Sequence, residues 1–174
     1  MKKSILILGL SLVLLTAFGL DAEAQPKEVT ESVTTTYYGT AKIVPLGADR
    51  AVLSYDAIGL TISDTGQGLF HQGTVRIIGS LTSEKGKWNN ELGSGVWNLM
   101  NGDKVFLTVK AAGQVSPQPG VPGITKGTVT IIGGTGKCSG IEGSFEFTRY
   151  NIPKPAIEGI IQSYVKANIK YKLP

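Results

Sequence analysis

Apolar and polar residues alternate with a period of two along several stretches of this chain. The clearest example lies near the C-terminus, where Val165, Ala167, Ile169, Tyr171 and Leu173 alternate with Lys166, Asn168, Lys170 and Lys172. Residues 104–111 repeat the pattern, with aliphatic side chains at every odd position except the last, which is alanine. Successive side chains of a β-strand point to opposite faces of the sheet, so this alternation predicts half-buried antiparallel strands.

Turn signals divide the chain into about eight predicted strands. Asn101-Gly102 stands between two apolar stretches and is a strong signal for a β-hairpin, and residues 116–120 are rich in proline and glycine, as loops are. The predicted strands span residues 32–44, 50–57, 69–82, 91–99, 103–112, 126–132, 142–149 and 164–173. Eight antiparallel strands in one domain favour a closed barrel, which removes exposed sheet edges, over a sandwich of two sheets.

Helical spacing competes with the strand pattern at one place. Ile157, Ile160 and Ile161 could face the core from a short helix with Pro155 in its first turn, although Gly159 weakens such a helix. We therefore predict an all-β fold, an eight-stranded antiparallel barrel with at most one short helix near the C-terminus, within residues 155–163.

The first 24 residues have the features of an export signal of bacterial form. Lys2 and Lys3 precede an apolar segment over residues 5–15, and Ala22-Glu23-Ala24 fits the small-residue cleavage rule. The apolar segment is short for a membrane span, which needs about 20 residues. We predict a signal peptide over residues 1–24, cleavage after Ala24 and one barrel domain over residues 25–174. The protein would then be periplasmic or secreted, with no stable membrane insertion after cleavage.

Composition favours tight turns and argues against several kinds of site. Glycine supplies 23 of the 174 residues and charged residues 17%, against typical shares of about 7% and about 25%. The net charge of +4 is spread along the chain, without the basic and aromatic cluster expected of a nucleic-acid binder. His71 is the only histidine and Cys138 the only cysteine, so we expect no metal site, no cofactor and no intrachain disulfide. Cys138 is interpreted as a small buried hydrophobe, with a reactive or interchain thiol as the alternative.

The most distinctive motif lies between Gly127 and Thr148. Two apolar runs, residues 129–132 and 144–148, flank a loop that contains Gly133, Gly134, Gly136, Gly140 and Gly143, which predicts two strands joined by tight turns. A phosphate-binding Walker loop is excluded, because Ile131 stands at its first glycine position and Cys138 at its serine or threonine position. The phrase GT-x-x-I-x-GGTGK-x-x-G-x-x-G resembles the penultimate hairpin of allene-oxide-cyclase-like and dirigent-like barrels.

The resemblance to this barrel family extends to residues 69–79 and 101–106, which look like stretches of its uncharacterised secreted bacterial members. It covers about residues 51–149 and implies an eight-stranded barrel with an interior cavity, often oligomeric, so that a homo-oligomer is one expectation. Characterised members cyclise or couple hydrophobic small molecules, and dirigent proteins orient radicals without oxidising them. The aspartates and arginines of dirigent pockets have no residue-by-residue match here, so the resemblance implies the fold and not a reaction.

Strand parity selects four polar residues as candidate ligand contacts. If the lysine-free faces point inward, Tyr55, His71, Arg149 and Tyr171 share those faces with aliphatic and aromatic residues. A mostly apolar interior with a few polar groups is the usual form of a small-molecule site. Each of the four also has an ordinary structural explanation, such as a hydrogen-bonded histidine or an arginine at the barrel rim. No pair of carboxylates has a spacing that suggests acid–base catalysis, so no catalytic residue is assigned.

These observations leave three hypotheses of function. The first is an exported barrel that binds or orients a hydrophobic small molecule in its interior. The second is a cyclase or isomerase of the allene-oxide-cyclase type, which would act by confining a reactive substrate. The third is a structural envelope protein with a filled barrel. Interior volume separates the third hypothesis from the others, and turnover separates the first two.

Overall fold

Eight β-strands make up the described part of the chain, residues 27–174 of the computed structural model. In chain order they are β1 (Glu28–Pro45), β2 (Arg50–Ser63), β3 (Thr74–Glu84), β4 (Lys87–Asn98), β5 (Lys104–Gln114), β6 (Gly123–Gly134), β7 (Glu142–Asn151) and β8 (Ile160–Lys172). One turn of 3-10 helix, Gly136–Cys138, lies between β6 and β7. The predicted signal peptide, residues 1–24, and the cleavage site after Ala24 lie outside the described residues.

The strands close into a barrel. Each strand pairs antiparallel with the next along the chain, and β8 returns to pair with β1. The predicted all-β, eight-stranded antiparallel barrel is therefore confirmed. No α-helix forms at residues 155–163. Turns continue there to Gly159, whose φ of +78° favours glycine, and β8 begins at the next residue.

Alternation along the strands places apolar side chains inside and polar ones outside. On β5 the side chains of Val105, Leu107, Val109 and Ala111 are buried, while Lys104 and Lys110 are exposed. A cluster of buried side chains fills the end of the barrel where β4 ends and β5 begins. Phe70, Trp97, Leu99, Ile141 and Tyr171 lie in this packed cluster.

A loop over residues 64–73 folds against this end. Phe70 is fully buried there and makes edge contacts with the rings of Trp97 and Tyr171, at centroid distances of 4.9 and 5.4 Å. The carboxylate of Glu31 accepts hydrogen bonds from the backbone N–H groups of Leu69 and Phe70 and from the Tyr171 hydroxyl. The strand predicted from residue 69 is thus wrong at its start, because tertiary contacts hold residues 69–72 in turns and β3 begins at Thr74.

Candidate functional site

The other end of the barrel holds a cavity of about 400 Å³. Its walls come from residues 33–37 of β1, residues 53–57 of β2 and inward-facing residues of the other six strands, with the largest share from β7 and β8. Most lining side chains are apolar and include Leu53, Ala57, Ile77, Leu81, Phe147, Ile161 and Val165. Val115, Ile152, Pro153 and Pro155 line it from the loops at that end. A packed end and an open end therefore divide the barrel interior.

Inward-facing glycines leave room for large side chains at this site. Gly79 on β3 pairs with Tyr55 on β2, and a Cβ atom at Gly79 would collide with the Tyr55 phenol. A Cβ at Gly59 would likewise press against the ring of Tyr37 on β1. The absence of a side chain at these two positions thus lets two tyrosines lie across the barrel wall.

A buried carboxylate, Glu91 on β4, organises the polar side of the cavity. Its Oε1 accepts hydrogen bonds from the Tyr55 hydroxyl at 2.8 Å and from Arg149 Nη1 at 2.7 Å. Its Oε2 accepts from Trp88 Nε1 at 3.1 Å and from Arg149 Nη2 at 2.7 Å. A carboxylate has about four acceptor positions, so these four donors leave Glu91 none for another partner.

Arg149 on β7 connects this carboxylate to the cavity. Besides the two bonds to Glu91, it donates from Nε to Asn151 Oδ1 at 3.1 Å and from Nη2 to Thr125 Oγ1 at 3.2 Å. Tyr55 is a further hydrogen-bond partner of Arg149, so Glu91, Tyr55, Thr125 and Asn151 together surround the guanidinium. Burial acts to lower the pKa of Arg149, but attraction to and hydrogen bonds with Glu91 outweigh it, and the pKa lies above its ordinary value. Arg149 is therefore a permanent cation.

Two tyrosine hydroxyls complete the polar set. Burial, reinforced by the charge of Glu91, raises the pKa of Tyr55 far above its ordinary value. Burial also raises the pKa of Tyr37, against a smaller opposing effect of Arg149. Tyr37 lines the cavity, and its hydroxyl takes part in none of the side-chain hydrogen bonds found among residues 27–174. It is thus free to donate to, or accept from, a bound molecule.

The four residues predicted from strand parity do not lie together. Tyr55 and Arg149 line the cavity and are linked through Glu91. Tyr171 lies at the packed end with Glu31, where burial raises its pKa far above the ordinary value. His71 lies in the loop that folds against that end, and its Nδ1 accepts a hydrogen bond from the backbone N–H of Ser63 at 3.2 Å. Strand parity does not apply to His71, because it precedes β3 and is part of a turn.

Sequence reasoning missed Glu91 and Tyr37. Both had the same signal as the predicted residues: Glu91 has the parity of buried Trp97, and Tyr37 that of buried Val33. A carboxylate on an inward face needs hydrogen-bond donors or a cation beside it, and the inward parity of Arg149 made it a candidate partner for Glu91. Alternation does not predict that Trp88 also faces the interior, because two residues three positions apart lie on opposite faces of a regular strand. A β-bulge between Trp88 and Glu91 turns both side chains inward.

A second depression, of about 780 Å³, lies on the outer surface across β1, β6, β7 and β8. Its walls include the exposed polar side chains of Ser32, Lys126, Glu146 and Lys166, and it is open to solvent.

Within residues 27–174, no three His, Cys, Asp or Glu side chains come close enough to hold a metal ion. No helix in the described residues is long and apolar enough to cross a membrane. The interior cavity is therefore the candidate site.

Neither a scan against models of protein families nor a search of curated proteins gave a match. Among solved structures, the chain is similar to the pterocarpan synthase dirigent protein GePTS1, with 12% sequence identity and a TM-score of 0.41. The match covers 85% of this chain and 89% of that one. A likeness this distant transfers no residue, ligand or activity, and the barrel rests on the strand pairings described above.

Proposed function

We propose that this protein binds or orients a hydrophobic small molecule inside its barrel. The observation that carries the proposal is the cavity of about 400 Å³ with a mostly apolar lining and a few polar groups on one side. Ligand pockets in proteins typically have volumes of about 300–1,000 Å³ and this kind of lining. Tyr37, Tyr55 and Arg149 are the residues that we expect to contact the ligand.

The same cavity bears on the two alternatives. A filled structural barrel would leave no such volume, so the cavity favours binding. A cyclase or isomerase that confines its substrate would use the same cavity and differ only by turnover. Acid–base catalysis by Glu91 is disfavoured, because its four acceptor positions already accept hydrogen bonds from Tyr55, Trp88 and the two Nη nitrogens of Arg149.

Two neighbouring residues on β2 offer a matched test. Ala57 is 6% exposed and lines the cavity, whereas Ile58 is 61% exposed and points outward. Ala57→Phe should fill part of the cavity and lower the affinity for the uncharged fluorescent dye N-phenyl-1-naphthylamine at least fivefold. Ile58→Phe should leave that affinity unchanged. Circular dichroism and the melting temperature would check that both variants keep the fold.

Equal dye binding by both variants, or no binding by the wild type, would reject the interior site. If only Ala57→Phe lowers dye binding, mass spectrometry of small molecules that co-purify from the native host would identify the natural ligand. We further propose, from the sequence, that the protein acts outside the cytoplasm after cleavage at Ala24 and that it can form a homo-oligomer. N-terminal sequencing, with Gln25 expected first, and light scattering would test these two points.

A further inference from the structure

One charge faces the cavity. Among the described residues that line it, only Arg149 carries a charge, and the others are apolar or neutral polar residues. Considered by itself, a guanidinium in an apolar pocket predicts a carboxylate ligand, because arginine binds carboxylates through two parallel hydrogen bonds.

Glu91 already fills that role. Nη1 and Nη2 of Arg149 each donate to a different oxygen of Glu91, both at 2.7 Å, which is the geometry that a carboxylate ligand would use. The Glu91 side chain is 0% exposed, and that of Arg149 is 17% exposed. Tyr55 and Trp88 hold the carboxylate from its other sides. Glu91 thus neutralises the positive charge of Arg149 at the cavity wall.

We propose that Glu91 is a specificity-determining residue, which neutralises Arg149 and thereby restricts the cavity to uncharged ligands that carry a hydroxyl or carbonyl oxygen. This inference rests on the proposed function. The oxygen meets the Tyr37 hydroxyl, while the rest of the ligand contacts the apolar walls.

The cost of burying a charge explains the restriction. An ionised ligand head group inside the cavity loses its hydration and finds no unpaired charge of opposite sign to interact with. It could recover a partner only by displacing Glu91, which would leave that carboxylate buried without its cation. A hydroxyl or carbonyl group loses much less hydration and finds a hydrogen-bonding partner at Tyr37.

Three eight-carbon probes with different head groups test this charge selection. We would measure displacement of N-phenyl-1-naphthylamine by 1-octanol, octanoate and octylamine at about pH 7.5, where the last two are ionised. In the wild type, 1-octanol should compete at least tenfold more strongly than either ion.

Because octanol is also the more apolar probe, the deciding comparison uses Glu91→Gln. This variant removes the negative charge but keeps the size of the side chain, so Arg149 becomes an unpaired cation beside the cavity. Octanoate should then bind at least tenfold more tightly than to the wild type, while octanol and octylamine gain less than threefold. Glu146→Gln, an exposed position on the outer face of β7, is the matched control and should change none of the three affinities.

Glu91→Gln also removes a buried ion pair, so a second variant covers the case in which it fails to fold. The double substitution Glu91→Leu with Arg149→Met carries no charge at the site and should retain the wild-type preference for octanol over octanoate. Tight octanoate binding to the wild type, no gain for octanoate with Glu91→Gln, or loss of the octanol preference in the double variant would each overturn the role of Glu91. Failure of the dye and all three probes to bind would instead overturn the proposed function itself.

Discussion

Replacing Arg149 by methionine should destabilise the barrel strongly, because it leaves Glu91 buried without its cation. Methionine keeps much of the length and apolar volume of arginine, so packing changes little. The Glu91 side chain is 0% exposed and cannot turn to solvent without repacking. Removing one partner of a buried ion pair typically costs about 3–5 kcal/mol.

The protein offers its own control for this effect. Arg76 on β3 also makes two hydrogen bonds to one carboxylate, that of Asp56, at 3.0 and 2.6 Å, but both side chains are on the outer surface and about half exposed. The hydrogen bonds of this pair lower the pKa of Asp56, yet water screens the charges. Arg76→Met should therefore lower the free energy of unfolding much less than Arg149→Met, because exposed ion pairs contribute little to stability.

Urea unfolding followed by tryptophan fluorescence would measure both variants, with the free energy of unfolding taken from the midpoint and slope. For a domain of this size, 1 kcal/mol corresponds to about 2–4 °C in melting temperature, so Arg149→Met should lower it by about 6–20 °C. In a double-mutant cycle with Glu91→Leu, the combined loss should be about 2 kcal/mol smaller than the sum of the single losses.

Equal losses of the free energy of unfolding for Arg149→Met and Arg76→Met would refute the argument, because burial would then not increase the contribution of the ion pair to stability. A cycle in which the two single losses simply add would show that Glu91 and Arg149 do not interact. The first result would contradict the burial, and the second the pairing.

Three further predictions follow from the same geometry. Tyr37→Phe should weaken 1-octanol binding about fivefold by removing one hydrogen bond of about 1 kcal/mol, whereas Tyr38→Phe, at an exposed position 41% accessible, should not change it; equal effects would place the ligand oxygen elsewhere. Cys138 is fully buried and burial raises its pKa, so it should react with Ellman's reagent only after unfolding, and dithiothreitol should not lower the melting temperature; rapid labelling of the native protein would contradict this. Because the folded pKa values of Tyr37, Tyr55 and Tyr171 are raised, the contribution of these three residues to stability should be constant below about pH 9 and be lost above about pH 10, where the unfolded tyrosines ionise; absorbance at 295 nm should show three of the six tyrosines ionising only with unfolding.

Much of the fold could be predicted from the sequence because barrel strands have a local signature. Alternation fixes which face of β5 or β8 is buried, and Asn101-Gly102 marks a hairpin within a few residues. Each of these signals depends only on neighbours in the chain. The eight strands and their antiparallel order followed from them, and so did the inward direction of Tyr55 and Arg149.

Other features depended on contacts between distant residues, which no local pattern contains. The sequence of residues 69–73 predicts a strand. The loop forms instead because the Glu31 carboxylate binds two of its backbone N–H groups from 38 and 39 positions away in the chain. The pairing of Glu91 with Arg149 spans 58 positions. Sequence alone thus determined the strands and their faces, while only tertiary structure decided which inward side chains meet, because barrel closure and the register of its strands bring them within hydrogen-bonding distance.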